Sequence, residues 1–158
     1  MKRRRSQAGN VFVEFAIGSG VLVAVFAGTF QFGYNFYRYN TLATAVSNGA
    51  RYASLRTYDL KTSGGVCSAY SDAYRDAVKN IVVFGDPTGV ATTPVSPGLT
   101  TGNVQITAVC SSTLAGKGVP LTITVSITNY TLDAIFAQTT YNNKPQVTYA
   151  YQGVYSPY

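Results

Sequence analysis

Histidine and tryptophan are absent from this chain of 158 residues, and charged residues make up only 11 % of it. Histidine is the commonest general base and metal ligand, so its absence removes the side chain on which most acid–base and metal-dependent enzymes rely. An average soluble domain carries about 25 % charged residues. The shortage of charge is typical of a chain that lies in a membrane or buries much of its surface against copies of itself.

Side chains for catalysis or metal binding are also scarce in the rest of the sequence. The two cysteines, Cys67 and Cys110, are too few ligands for a metal site when no histidine can join them. The glycines at residues 116–118 suit a hairpin turn and lack the spacing of a phosphate-binding loop. Asp72 and Asp76 are four residues apart on a predicted helix, which favours a solvated face over a cation site. We therefore predict no catalytic residue, no metal and no cofactor, and the chain is not expected to be an enzyme.

The net charge of +6 is concentrated at one end of the chain. Four of the twelve Lys and Arg stand at residues 2–5, which leaves eight basic residues against six acidic ones in the remainder. No basic cluster in that remainder suits binding along the phosphate backbone of a nucleic acid. We therefore predict no nucleic-acid partner.

Residues 11–30 form an apolar run whose only charged residue is Glu14. Twenty residues span about 30 Å as a helix, which matches the hydrocarbon core of a bilayer. The positive-inside rule keeps the basic residues 2–5 in the cytoplasm and places the residues after Phe30 on the other side of the membrane. A charge at the centre of such a segment costs about 2.5–3.5 kcal/mol, and a glutamate nearer the interface costs less. We therefore expect Glu14 to require a partner.

The apolar run is preceded by Gly9 and is not followed by the small-residue cleavage site that ends a secretory signal peptide. A processing point after Gly9 would instead leave the apolar helix at a new N-terminus that begins with Asn10. The α-amino group of Asn10 would then pair with Glu14 of a neighbouring subunit and neutralise both buried charges. The alternative is an ordinary single-pass anchor in which Gly9 and Glu14 have no special role.

Two segments of the chain carry a family resemblance. The basic leader, Gly9 and a glutamate five residues later resemble the class III leader of type IV pilins. Residues 9–16, together with Gly49-Ala50-Arg51, resemble the start and the helix end of TadE-like proteins, the pilin-like components of tight-adherence systems. The resemblance implies cleavage after Gly9 by a prepilin peptidase, with Glu14 at the fifth position of the mature chain. It also implies insertion in the inner membrane and a pilus assembly machinery as partner.

Small residues recur at every fourth position of the apolar run. They are Ala16, Gly20, Ala24 and Gly28. This spacing lets helix backbones approach closely in a membrane, although small residues are also common in membrane spans by chance. We interpret the four residues as a packing ladder between neighbouring helices.

The chain beyond the apolar run carries a heptad-like apolar seam. Its members are Phe32, Phe36, Tyr39, Ala43, Val46, Ala50 and Ala53. No proline occurs before Pro87, so one continuous helix is predicted over residues 10–57, with a length of about 70 Å. The seam needs a cover, and we expect the C-terminal part of the same chain to supply it.

Residues 58–158 are predicted to form a head domain outside the membrane. After a linker at residues 59–65, a second helix is expected over residues 68–84, ended by Gly85-Asp86-Pro87. Alternating apolar residues then predict three strands: Val104, Ile106, Ala108 and Cys110; Leu121, Ile123, Val125 and Ile127; and Val147, Tyr149 and Tyr151. With a leader at residues 1–9 and the long helix at 10–57, the fold class is α+β: a long N-terminal helix with a small C-terminal antiparallel sheet, similar to a type IV pilin.

The two cysteines are predicted to form a disulfide bridge. Cys67 precedes the second helix, and Cys110 lies on the buried face of the first strand. In an exported chain two cysteines most often pair, and a bridge closing about 42 residues is worth about 4 kcal/mol in the chain-entropy model. A buried reduced pair is the alternative.

These observations predict a structural, pilin-like subunit that assembles through its N-terminal helix into a tight-adherence pilus or another extracellular filament. Glu14 would set the axial register between copies, and tyrosine-rich outer surfaces would add contacts between them. Two alternatives remain: a minor pseudopilin that primes or caps a filament of another pilin, and a monomeric membrane-anchored adhesin or binding module. The chain would lie in the inner membrane before assembly and in an extracellular filament afterwards.

Overall fold

The computed structural model describes residues 8–59, 70–110, 120–134 and 136–156. Its elements in chain order are α1 (Ala8–Leu55), β1 (Tyr58–Asp59), α2 (Asp72–Phe84), a short 3-10 helix (Thr101–Asn103), β2 (Val104–Cys110), β3 (Pro120–Ile127), β4 (Tyr130–Asp133), β5 (Gln138–Tyr141), β6 (Gln146–Ala150) and β7 (Tyr155–Ser156). A long N-terminal helix followed by antiparallel sheets confirms the predicted α+β class. Leader residues 1–7, most of the predicted linker and the glycine turn at residues 116–118 lie outside the described residues.

Helix α1 has 48 residues and is about 72 Å long. It begins and ends two residues earlier than predicted. Over residues 11–30 its large apolar side chains are 54–76 % exposed on every side of the helix. From Leu42 onwards, one face of the same helix is buried beneath the head. A single element therefore serves as an uncovered apolar rod at one end and as the main core helix at the other.

The predicted seam on α1 is confirmed at its outer end and wrong at its start. Val46, Ala50 and Ala53 are fully buried, as expected. Phe32 and Phe36, however, are 73 % and 59 % exposed, and their rings stack on each other with centroids 6.3 Å apart. Ala50 lies eighteen residues after Phe32, which is five full turns, so the two residues share one face of the helix. The head covers this face only from about Leu42 onwards, and Phe32 and Phe36 lie below the covered part.

Helix α2 packs beside the outer half of α1 and has clear caps at both ends. The Ser71 hydroxyl accepts a hydrogen bond from the backbone N–H of Tyr74 at 3.1 Å, which fixes the start of the helix at Asp72 rather than at residue 68. Gly85 takes the left-handed conformation (φ 74°) and donates its N–H to the carbonyl of Ile81. This ending confirms the predicted stop signal.

The two helices cross at Gly49 with no room for a side chain. A Cβ added at Gly49 would overlap the Cγ2 of Val82, and the carbonyl oxygen of Val78 would lie 3.6 Å from it. Val82 is fully buried, and β-branching restricts its rotamers, so it cannot swing away cheaply. The glycine of the Gly49-Ala50-Arg51 segment therefore sets the distance between α1 and α2.

Strands β2, β3 and β6 form an antiparallel sheet in the order β2-β3-β6. Val125 on the central strand pairs with Ile106 on one side and with Val147 on the other, so the three predicted strands lie in one sheet. The sheet packs against the outer half of α1 through β3 and β6. A second antiparallel pair, β4 with β5, and a short parallel pair, β1 with β7, were not predicted from the sequence.

A cluster of four tyrosines joins the end of α1 to α2 and to the C-terminal segment. Tyr58 is fully buried at its centre, with ring centroids 5.1–6.1 Å from those of Tyr70, Tyr74 and Tyr151. The Tyr74 hydroxyl donates to the carbonyl oxygen of Ala53 at 2.7 Å, in the last turn of α1. Burial, and after it the neighbouring Tyr58, raises the pKa of Tyr74 well above its usual value.

Gly49→Ala should destabilise the head domain. Overpacking a tight core contact costs about 1–3 kcal/mol, and the better helix propensity of alanine returns at most about 1 kcal/mol. We expect a net loss of about 1–2 kcal/mol in the free energy of unfolding, measured by urea titration of the detergent-solubilised chain.

Gly33→Ala is the matched control, because nothing lies within 4 Å of a Cβ built at that helical position. It should be neutral or stabilise the helix by up to about 1 kcal/mol. Equal urea midpoints for the two variants would contradict the close crossing at Gly49.

Alkaline solution should destabilise the head through Tyr74, whose pKa lies above the usual value of 10.0 in the folded state. Below about pH 10 the phenol is protonated in both states, so stability does not depend on it. Above that pH the unfolded chain loses the proton first, and stability falls by at most about 1.4 kcal/mol per pH unit for this group. Urea midpoints measured at increasing pH should show this fall.

Tyr74→Phe should lower stability at neutral pH by about 1 kcal/mol, because the bond to Ala53 is lost, and should flatten the alkaline fall. Tyr37→Phe changes a ring that is 64 % exposed and should leave the slope unchanged. A Tyr74→Phe slope as steep as that of the unaltered chain would refute the role of this buried phenol.

Candidate functional site

The candidate functional site is the uncovered half of α1 together with the part of the head that reaches down to it. Within the described residues, α1 is a helix that is both long enough and apolar enough to cross a membrane. None of its most apolar window is buried inside the protein. A helix that is apolar on all sides is stable only in lipid or against other helices. This half of α1 is therefore built for an apolar environment that the chain itself does not provide.

Glu14 lies in the second turn of α1 with its side chain exposed. Within the described ranges it makes neither an ion pair nor a side-chain hydrogen bond. Phe32 is eighteen residues further on, which is five full turns of an α-helix, so the two side chains share one face. That face carries the predicted charge-pairing residue at one end and the exposed Phe32–Phe36 stack at the other.

Gly9 and Asn10, the predicted processing site, belong to the first turn of α1. They lie on the N-terminal side of Glu14, where a newly formed amino group would stand four residues before the carboxylate. Cleavage between them stays a prediction.

Ala16, Gly20, Ala24 and Gly28, the predicted ladder, are all exposed. A Cβ built at Gly20 or Gly28 would meet nothing within 4 Å. Each step of four residues overshoots a full turn by about 40°, so the ladder winds around about a third of the helix. It offers a winding shallow surface to another helix, and packing against one stays a prediction.

The β4–β5 hairpin, which was not predicted, binds α1 where the apolar run ends. The side-chain amide of Gln31 donates to the carbonyl oxygen of Ala137 at 3.2 Å and accepts from the backbone N–H of Phe136 at 2.9 Å. One turn higher, the Asn35 amide nitrogen lies 3.5 Å from the Thr139 hydroxyl. Gln31 is the first polar residue after the apolar run, and the local sequence does not predict which residues it binds.

Aromatic residues and one arginine follow the apolar run on α1. The guanidinium carbon of Arg38 lies 5.1 Å from the ring centroid of Tyr34 and 5.9 Å from that of Tyr37. Tyr39 contacts the ring of Tyr141 on β5, with centroids 5.9 Å apart. Amphipathic aromatics and arginine are typical of residues at the boundary between hydrocarbon and water.

The charged groups of the head form local surface pairs. Arg75 lies between the two carboxylates singled out in the sequence, with Nη1 2.7 Å from Asp72 and Nε 3.0 Å from Asp76. These carboxylates raise the pKa of the Arg75 guanidinium. Within the described ranges, no cluster of Cys, Asp or Glu suits a metal ion.

Cys110 is half-buried at the end of β2, on the same face as Val104 and Ile106. This position agrees with the inward orientation predicted from the alternating pattern. Cys67 lies outside the described residues, so the bridge between the two cysteines stays a prediction.

Residues 9–51 match the model of the TadE-like protein family. The match begins at Gly9 and ends at Arg51, so it covers both segments that carried the resemblance and confirms it. It includes Glu14, the ladder and the crossing glycine, Gly49. No curated protein matches the chain, and no solved structure matches it. Over residues 9–51 the chain is therefore similar to TadE-like proteins.

The native N-terminus tests the processing site of the TadE-like segment. We expect mass spectrometry of the chain from its native host to give a mature form that begins at Asn10. In a Gly9→Leu variant the leader should be retained, while Gly18→Leu, which changes a glycine inside the helix, should be processed normally. A native chain that begins at Met1 would rule out cleavage after Gly9.

Proposed function

We propose that this chain is a pilin-like structural subunit that is inserted in the inner membrane and assembles through α1 into a Tad-type filament. The observation that carries the proposal is the uncovered apolar half of α1, inside the TadE-like segment, with a Glu14 carboxylate that has no partner among the described residues. The described part of one copy therefore satisfies neither the apolar surface nor the charge. Lipid satisfies the first before assembly, and neighbouring copies satisfy both afterwards.

Charge pairing supplies the register of the filament. Cleavage after Gly9 creates an α-amino group at Asn10, and this cation pairs with Glu14 of an adjacent copy. An ion pair removed from water is favourable only when both partners are present, and removing one partner costs about 3–5 kcal/mol. Copies shifted along the axis lose the pair, so this one contact selects a single axial offset.

Packing surfaces on α1 supply the remaining contacts. The ladder of small residues lets a second helix approach closely, and the exposed Phe32–Phe36 stack extends the Glu14 face beyond the apolar run. Aromatic residues are enriched in the cores of protein interfaces. In this arrangement the apolar half of α1 forms the filament core and the head domain faces outwards.

The proposal defines the localisation and the partners of the chain. Before assembly, the N-terminus lies in the cytoplasm and the head lies outside the inner membrane. The prepilin peptidase and the pilus assembly machinery act on this form. After assembly, the partners are further copies of the chain in an extracellular filament.

Glu14→Ala separates a filament subunit from a tethered monomer. Expressed in the native host, the variant should insert in the inner membrane at normal levels, because removing a charge from the apolar run makes insertion easier. Filaments sheared from the cells should be lost, because the neighbouring amino group has no partner. The measurement is the ratio of sheared to membrane-bound protein.

Asp76→Ala is the control, since it removes a carboxylate of an exposed ion pair that contributes about 0–1 kcal/mol. Its ratio should equal that of the unaltered chain. If Glu14→Ala leaves the ratio unchanged as well, the filament proposal fails and a monomeric membrane-anchored binding module takes its place.

A further inference from the structure

The tip of the β4–β5 hairpin is apolar and points towards the membrane end of α1. Its described residues are Ala134, Phe136 and Ala137, between Asp133 and Gln138. The side chain of Phe136 is 66 % exposed. A large aromatic residue at the tip of a short turn contributes nothing to the core of the head. Its exposed surface would be more favourable in an apolar environment outside the head than in water.

Phe136 lies beside the apolar run, not above it. It lines one surface groove together with Val23, Phe26, Ala27 and Phe30 of α1. Those four residues belong to the last two turns of the segment that is long enough to cross a membrane. The hairpin therefore extends from the head down to the level of the apolar run, and Phe136 continues the apolar surface of α1.

Three of the polar backbone groups at this tip have hydrogen-bond partners within the chain. Gln31 binds both the N–H of Phe136 and the carbonyl oxygen of Ala137, and the N–H of Ala134 donates to the same carbonyl at 3.2 Å. A turn on a protein surface can leave such groups to water. In lipid, unsatisfied backbone groups are strongly unfavourable, so a turn with internal partners is suited to a place where water is scarce.

The residues of α1 next to this groove are of the types found at membrane interfaces. A neighbouring groove on α1 is lined by Phe26, Phe30, Tyr34 and Tyr37, with Arg38 against the two tyrosines. Tyrosine and arginine are favoured where hydrocarbon meets headgroups. Phe136 lies on the hydrocarbon side of this belt.

The groove faces away from the side of α1 that carries Glu14, which is one of the two surfaces proposed for subunit contact. Phe30 is sixteen residues from Glu14, about four and a half helical turns, which places it on nearly the opposite side of α1. Glu14, Phe32 and Phe36 share the other side. The occupant favoured by this geometry is lipid, and not a second copy of the chain.

We propose that Phe136, at the tip of the β4–β5 hairpin, inserts into the outer boundary of the bilayer before assembly and forms a second membrane contact beside α1. The ligand is the upper acyl-chain region of phospholipids, about 5–10 Å into the headgroup boundary. This inference rests on the proposed membrane insertion of α1. Two contacts fix both the depth and the rotation of the helix, so that Glu14 faces a defined direction in the membrane.

Tryptophan fluorescence can test the contact directly, because the chain contains no tryptophan. The full chain carrying Phe136→Trp is reconstituted at high dilution in phosphatidylcholine vesicles that contain lipids brominated at a shallow or a deep acyl position. The indole should emit at short wavelength, and shallow bromine should quench it more strongly than deep bromine. Phe15→Trp, within the apolar run, reports insertion of α1, and Val90→Trp, on a loop of the head that is 79 % exposed, reports water.

Each outcome decides between the proposals. Quenching of both the Phe15→Trp and Phe136→Trp probes, without quenching of Val90→Trp, supports the second contact. Quenching of Phe15→Trp alone overturns the hairpin contact and leaves the membrane span intact, whereas no quenching of Phe15→Trp overturns the span itself. If quenching of Phe136→Trp disappears as the protein-to-lipid ratio rises, the result supports a lipid contact that is displaced on assembly. If the emission of Phe136→Trp is blue-shifted only at a high protein-to-lipid ratio, the tip contacts a second copy of the chain and the proposal is overturned.

A second variant tests the role of Gln31. Adding Gln31→Leu to Phe136→Trp removes both hydrogen bonds to the tip while keeping the size of the side chain. The shallow quenching should fall towards the value of the Val90→Trp chain, because the exposed backbone groups now favour water. Gln105→Leu, a change at an exposed position of β2, is the matched control and should leave the quenching unchanged. Equal quenching in the two double variants would refute the role assigned to Gln31.

Discussion

One unbroken helix has to satisfy two different environments, and the rest of the structure follows from this constraint. The first part of α1 is apolar on all sides and is not covered by the part of the chain that the structure describes, whereas the outer part buries a single face beneath the head. No proline or strained turn separates the parts, so position and rotation are transmitted along about 72 Å of hydrogen-bonded backbone. Whatever fixes the head on the outer half also fixes the direction in which Glu14 points.

The head is held on α1 by close approach at one level and by polar clamps below it. Gly49 allows α2 to touch the helix backbone, and the sheet covers the neighbouring face around Val46. Further down, Gln31 and Asn35 bind the β4–β5 hairpin. Contacts spread over more than five turns resist both tilting and rotation of the head. A head held at one level only would leave the orientation of the apolar half undefined.

Strong periodic signals in the sequence predicted the helix and the main sheet, and a resemblance in residues 9–16 and 49–51 identified the family segment. The apolar run, the lack of an early proline and the strict alternation around Val125 are local features. The tertiary contacts of the fold favour the same helix and strands that these features predict. The seam at Phe32 and Phe36 failed because a heptad pattern states which residues share a stripe and not where a partner begins. The β4–β5 hairpin was missed because its strands are short and threonine-rich, with Tyr130 and Leu132 the buried residues of β4. The clamp at Gln31 depends on residues more than one hundred positions apart, and no local pattern encodes such a pairing.

The parallel pairing of β1 with β7 brings the two ends of the head together. Tyr58, three residues after α1, lies opposite Tyr155 in register, and the N–H of Gln152 reaches the carbonyl oxygen of Ser54 in the last turn of α1. The intervening hundred or so residues thus leave and return at one point on the helix. A head domain attached in this way can gain or exchange residues between its two ends without a change in the path of α1.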